Sequence, residues 1–460
     1  MDAAASSRTA APDRFPAGLE NAFWFATFNA LSYPIILNSP MILFAKSLNA
    51  SATVLGIIAG MMPLLVIFQI PAASHIGRVG YQRFVYAGWG MRVLFIFGMA
   101  LVPLAGGFVS PPTQLALLLL LLFLFNLSRG ISSAAWLPWI TTLLPESMRG
   151  RFLAQEATLV SIANCGTLLL AAVCMGSNPG RWQFSALFVL SAVMGAISLR
   201  YMKRIPDAEV PEAERTSAQP VPWREMAGYG PFRRFLAFNL AWSIAYGGIN
   251  AFTVAYLKVA AGLSEDRILI VTGLAFLGGL AGLWWFRTRM DRFGSKPVIG
   301  LCLAGWSLVV LGWLALGTGL LEVSMAMVIV LQLAMGFGFT LVNVNNTRLA
   351  MALAPAMGRS HFFALYSVVA NLSLGLSPVI WGLAMDAIGE RSFVWQRLEW
   401  NRFSLYYAGA LVAFLVNCVF AFRLVEPKSG TLDQLLRDLL IVSPQRALAR
   451  LWKRGPHGGR

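Results

Sequence analysis

Apolar residues along this chain gather into twelve runs of roughly twenty, separated by short polar or charged stretches. The runs lie near 22–44, 53–73, 84–105, 113–136, 152–175, 182–202, 234–258, 267–288, 297–317, 323–352, 361–385 and 403–425. That length matches the roughly 20 residues an α-helix needs to cross ~30 Å of hydrocarbon. The pattern predicts an all-α polytopic membrane protein of about twelve transmembrane helices. Pro63, Pro103 and Pro138 lie within or beside runs, which helices in lipid tolerate better than helices in water.

A short segment occurs twice. Pro145–Ala154 reads PESMRGRFLA and Pro355–Ala364 reads PAMGRSHFFA, with Pro, Arg, Phe and Ala in register, each copy following the fourth run of its half. Two like-facing six-helix bundles are therefore expected, at 1–202 and 232–426. Such repeats characterise carriers that work around a central site. Between them, 203–231 carries Pro206, Pro211, Pro220 and Pro222 with the cations Lys203, Arg204, Arg215 and Arg224, and reads as a cytoplasmic linker. Residues 427–460 form a short amphipathic, basic tail. Leu432, Leu435, Leu436 and Leu439 recur at helical spacing, and Thr431 with Gln434 has the form of a capping box. An interfacial helix fits this stretch, as do a disordered basic tail and a helix packed on the linker.

Composition sharpens the class. Hydrophobic residues make up 57% of the chain and charged residues 12%, about half the share usual in soluble domains. The net charge of +16 would suggest nucleic acid in a soluble protein, but its placement argues otherwise. With the amino terminus in the cytoplasm, cytoplasmic segments hold twenty-six of the 36 Lys and Arg residues and external segments hold seven. This positive-inside bias predicts a cell (inner) membrane protein with both termini cytoplasmic and anionic lipid as a partner on that face. Nucleic acid is not an expected partner. Cys165, Cys174, Cys302 and Cys418 fall in apolar runs and read as packing residues, with neither disulfide nor metal spacing. No phosphate loop, nucleophile–base set or ligand cluster marks an enzyme, and no cofactor is implied.

The loops after the second and eighth runs carry further signals. Met290–Lys296 reads MDRFGSK and Ile76–Arg83 reads IGRVGYQR. With the span count and the paired segment, these resemble the D-R-x-G-R/K loops of the major facilitator superfamily over residues 20–425. Asp291, Arg292, Gly294 and Lys296 fit that pattern, as do Arg78 and Gly80, whereas Gly77 stands where the family usually has aspartate. The resemblance implies a cytoplasmic latch, for which Asp291 with Arg348 is the candidate pair. Arg348 reaching for lipid phosphates is the plainer alternative.

The resemblance also implies that the first, fourth, seventh and tenth runs line a central cavity. The first offers Asn29, Ser32 and Ser39, and the fourth Asn126 and Arg129. The seventh carries a stripe of Asn239, Trp242, Tyr246 and Asn250, and the tenth Asn343 and Asn346. Amides and aromatic rings on one cavity would hold a polar organic solute; bonding between helices is the simpler role for each Asn. An arginine at the bilayer centre costs about 2.5–3.5 kcal/mol even on lenient scales. Arg129 therefore needs either an anionic solute or a structural partner such as Glu156. Glu156 is also the candidate proton-coupling group, and Arg92 a second possible partner for it. The expected function is secondary active transport of a small polar, anionic organic solute by alternating access, by a monomer, with protons as a candidate second substrate. Drug or metabolite efflux by an antiporter of the same fold is one alternative. A non-transporting receptor or lipid-handling protein is another.

Overall fold

The computed structural model describes residues 15–144, 146–208, 228–353, 359–426 and 429–442. Within them the chain is almost wholly helical, in two compact units. The first unit comprises 1–219 with 250–273, and the second 220–249 with 274–460.

In the first unit the helices are α1 (Glu20–Leu37), α2 (Ser39–Ser47), α3 (Ala52–Leu65), α4 (Gln69–Val79), α5 (Tyr81–Leu101), α6 (Pro111–Ser133), α7 (Trp136–Leu143), α8 (Glu146–Met175) and α9 (Arg181–Met202). α1 lies along α8 and α9, and α5 along α6 and α9. The starts of these helices follow local chemistry. Ser51 accepts the amide of Val54 at the head of α3, and the Pro111–Pro112 pair opens α6, where the missing N–H groups cost nothing. From Leu115 to Phe125 α6 is apolar all round, with Leu118, Leu122 and Phe125 buried and Leu117, Leu120 and Phe123 exposed. A helix that buries one apolar face and bares another belongs in lipid. Aromatic packing closes the basic end of this unit: Phe25 stacks on Trp89 at 4.8 Å, and Phe152 of the repeated segment meets Phe23 at 4.7 Å. In the same segment Met148 is buried and Leu153 exposed; the side chains of Arg149, Arg151, Arg359 and Phe362 lie outside the described residues.

The second unit opens with α10 (Gly230–Tyr246), whose chain continues as α11 (Ile249–Val259). α12 (Glu265–Phe293), α13 (Ser295–Gly317), α14 (Met325–Leu353), α15 (Arg359–Ile388), α16 (Arg402–Phe422) and the short α17 (Leu432–Arg437) follow. Residues from Asn250 to Gly273, covering α11 and the head of α12, group with the first unit. In the second unit α13 lies along α14 and α16, and α10 along α15 and α16. α12 and α14 approach through small residues on both sides. A Cβ at Gly278 would sit 2.0 Å from the Leu333 carbonyl, and one at Gly336 1.7 Å from that of Ala275. Neither backbone can move aside without opening the helix pair.

Among the described residues eleven helical stretches are long and apolar enough to cross a membrane. The seventh predicted run, 234–258, is divided between α10 and α11 at Gly247–Gly248, so neither piece spans by itself. One departure from the all-α expectation is a hairpin of β1 (Phe393–Trp395) and β2 (Leu398–Trp400), paired antiparallel with Val394 opposite Glu399. Its two-residue turn puts Gln396 and Arg397 at φ of 52° and 66°, the primed-turn geometry that suits strand twist.

Candidate substrate site

In the first unit, three helices bring the intramembrane charges together. α1 carries Asn29 and Tyr33 one turn apart, α5 carries Trp89 and Arg92, and α6 carries Asn126 and Arg129. Arg92 is fully buried. Its Nη1 donates to the Tyr33 hydroxyl and its Nη2 to Asn29 Oδ1, while the guanidinium carbon sits 4.7 Å from the Tyr33 ring centre and 4.6 Å from that of Trp89. Neutral acceptors and ring faces thus replace a carboxylate as the surroundings of this cation.

Arg129 stands near enough for the two guanidinium charges to repel. Its Nε and Nη2 are buried and have no hydrogen-bond partner among the described residues. Asn126, also buried, donates to the Leu122 carbonyl at 2.9 Å and leaves Oδ1 without a partner. The expected structural pair is not present: Glu156, half-buried on α8, makes no ion pair with Arg129 or Arg92 among the described residues. Trp136 lies beyond the break at Ala134–Ala135 and packs on Phe25 and Trp89. Ser32 is engaged with Ser191 at 2.9 Å, so it is Asn29, with Tyr33, that touches a charge from the first run.

The polar groups of the second unit are neutral. Asn239 of α10 and Asn346 of α14 bond reciprocally, at 2.6 and 3.2 Å, and Asn346 also donates to the Tyr366 hydroxyl at 2.9 Å. Asn343 is exposed and outside this cluster, so the i, i+3 pairing expected on α14 does not form a common face toward it. Buried Asn345 faces Met290 and the Leu341 carbonyl. Trp242 and Tyr246 stack at 5.3 Å, and Trp242 meets Trp306 and Phe414 edge-on. Trp242 is therefore packed in an aromatic core. Asn250, exposed on α11, falls beyond the glycine break and is not on one continuous helical stripe with the other three.

The loop motifs show what the two glycines do. Gly80 and Gly294 both adopt positive φ, 86° and 82°, a conformation that a side chain would strain. In the second unit the Glu426 carboxylate takes the amides of Ser295 and Lys296 at 2.7–2.9 Å, capping α13. Nothing in the pattern of runs marked Glu426; its signal is only a carboxylate at the close of the last one. In the first unit neutral Gln82 makes the corresponding strap, donating to the carbonyls of Lys203 and Ile205. Arg348 donates to the Met290 carbonyl at 3.2 Å, next to Asp291, whose side chain lies outside the described residues. Arg292 pairs with Asp438 at 3.0 Å, joined by Arg289 at 3.2 Å, while exposed Arg78 has no ion pair among the described residues. The Thr431–Gln434 capping box forms, Leu435 is buried, and the Gly430 amide bonds to the Phe293 carbonyl, so 429–442 is fastened to the second unit. The basic stretch after it lies outside the described residues.

Long lipid-facing helices, paired glycine loops and buried cations without anions define a membrane carrier. The sequence profile of the Major Facilitator Superfamily matches residues 22–288, and the chain belongs to that family of transporters, not to an enzyme family. No sequence match is found among curated proteins. Among solved structures, a D-xylose-proton symporter is similar at 15% identity and a TM-score of 0.71, covering 90% of this chain and 100% of its own. A point mutant of the nucleoside transporter NupG is similar at 10% identity and a TM-score of 0.67, covering 89% and 100%. A POT family transporter in complex with 5-aminolevulinic acid is similar at 15% identity and a TM-score of 0.63, covering 89% and 97%. These likenesses concern the fold.

Proposed function

We propose that this chain is a secondary active transporter that carries a small polar, anionic organic solute by alternating access, with Arg129 as the anchor. One observation supports this reading most: two donors of Arg129 are buried and unpartnered, beside a second guanidinium that is itself without a carboxylate. An anion entering there would offset both the desolvation of Arg129 and its repulsion by Arg92. Glu156, half-buried in a span without an ion pair among the described residues, is the proton carrier in this reading. The Arg348 contact beside Asp291 supports those two as the latch. The excess of Lys and Arg on one side supports an inner-membrane location with both termini cytoplasmic.

Counterflow into liposomes across a set of organic anions tests the anchor. Arg129→Gln should lower kcat/KM for every transported anion by on the order of a hundred-fold, equivalent to about 2.7 kcal/mol and within the range for removing one partner of a buried charge pair. Unchanged flux would remove Arg129 from the site. Glu156→Gln should abolish uphill, proton-driven accumulation and spare exchange. Full uphill uptake in that variant would end the coupling role.

A further inference from the structure

A cavity of about 540 Å³ opens at the basic end of the second unit, lined by Arg233, Arg234, Ala237, Phe420 and Arg423. We propose that it is a binding site for the phosphate headgroup of an anionic phospholipid, and this does not depend on which solute the protein carries.

Charge is the first argument. Three arginines border one cavity, and none of the three side chains makes a hydrogen bond or ion pair among the described residues. The neighbouring carboxylate, Glu426, is committed to the amides of Ser295 and Lys296. A guanidinium suits phosphate oxygens in charge and in the fork of its N–H donors. The volume lies within the roughly 300–1,000 Å³ of small-ligand sites.

Position is the second argument, and it selects lipid over a soluble phosphate. Arg233 and Arg234 stand at the head of α10, and Arg423 directly follows α16. All three therefore sit where apolar helices end, the level of the headgroups. Below them the wall turns apolar at Ala237 and Phe420. The same faces continue along the two helices as exposed Leu240 and Ile244 on α10 and Val416 and Val412 on α16, between 45% and 60% accessible. A water-borne phosphate has no use for those stripes, whereas acyl chains would cover them.

The test uses the full chain in a neutral detergent, followed by thermal unfolding during titration with lipid. Phosphatidylglycerol should raise the unfolding midpoint, since a ligand of the folded state stabilises it. Phosphatidylcholine and glycerol 3-phosphate should not. Replacing all three arginines by Gln should weaken the apparent affinity by on the order of a hundred-fold, about five-fold for each cation. Arg423→Gln alone, at an exposed position after the helix end, gives the five-fold step should the triple variant fail to fold, and Arg423→Lys should recover most of it. An undiminished response in these variants overturns the proposal. So does equal stabilisation by glycerol 3-phosphate, which marks a soluble-anion site, or by phosphatidylcholine, which marks no charge recognition.

Discussion

In the first unit Arg92 and Arg129 enter the membrane with no carboxylate against them, whereas in the second Asn239, Asn346 and Tyr366 close a neutral network. The basic ends differ the other way round. There the first unit uses the amide of Gln82 as its strap, and the second uses the carboxylates of Glu426 and Asp438. Unpaired cations are thus held mid-span in the first unit, whereas the second ties its carboxylates at the basic edge. A buried cation must be compensated continuously, so the first unit is where a change of ligand or protonation moves the most free energy. An amide network satisfied within itself has little left to offer an ion, and reads as structure.

The largest expected break in this contrast comes from setting Arg129→Gln beside Asn346→Leu in the same counterflow assay. The first should cost about a hundred-fold in kcat/KM and the second less than ten-fold. The reverse order would move recognition to the second unit. Next in size is Asn29→Leu, which deprives the Arg92 guanidinium of an acceptor. Thermal unfolding in micelles should show a loss of about 2 kcal/mol, the usual scale for a hydrogen bond to a charged group. A change near zero would mean that ring faces alone hold that cation. For the neutral network, a double-mutant cycle of Asn239→Leu and Asn346→Leu should return a coupling of about 1 kcal/mol, as interhelical bonds in membranes do. Strict additivity would deny that the pair acts as a unit. The smallest effect is at the edge: Glu426→Gln should cost about 0.5–1 kcal/mol, less at high salt, and more than Gln82→Leu at the neutral strap of the first unit.

Much of the architecture was legible because lipid imposes simple requirements. Any segment of ~20 apolar residues must satisfy its backbone internally, so the twelve runs announce helices whatever surrounds them. The repeated Pro–Arg–Phe–Ala segment and the glycines of the two loops are visible in the same way, since a positive φ at Gly80 or Gly294 leaves a mark on residue choice. The arginines inside the spans were likewise plain to see, because each is costly there.

Their partners were not. Nothing in the sequence shows that the Asn29 amide accepts from Arg92, or that Glu156 makes no ion pair with either arginine among the described residues. The stripe from Asn239 to Asn250 assumed an unbroken helix, and Gly247–Gly248 divides it. Glu426 acquires its role only because the chain after α16 returns to the head of α13. Sequence by itself determined which segments cross the membrane and which residue types are expensive there, because both follow from transfer out of water, a property of each segment alone. Tertiary structure decided which polar atoms are satisfied and which are left open, because that depends on how helices distant in sequence are rotated against one another.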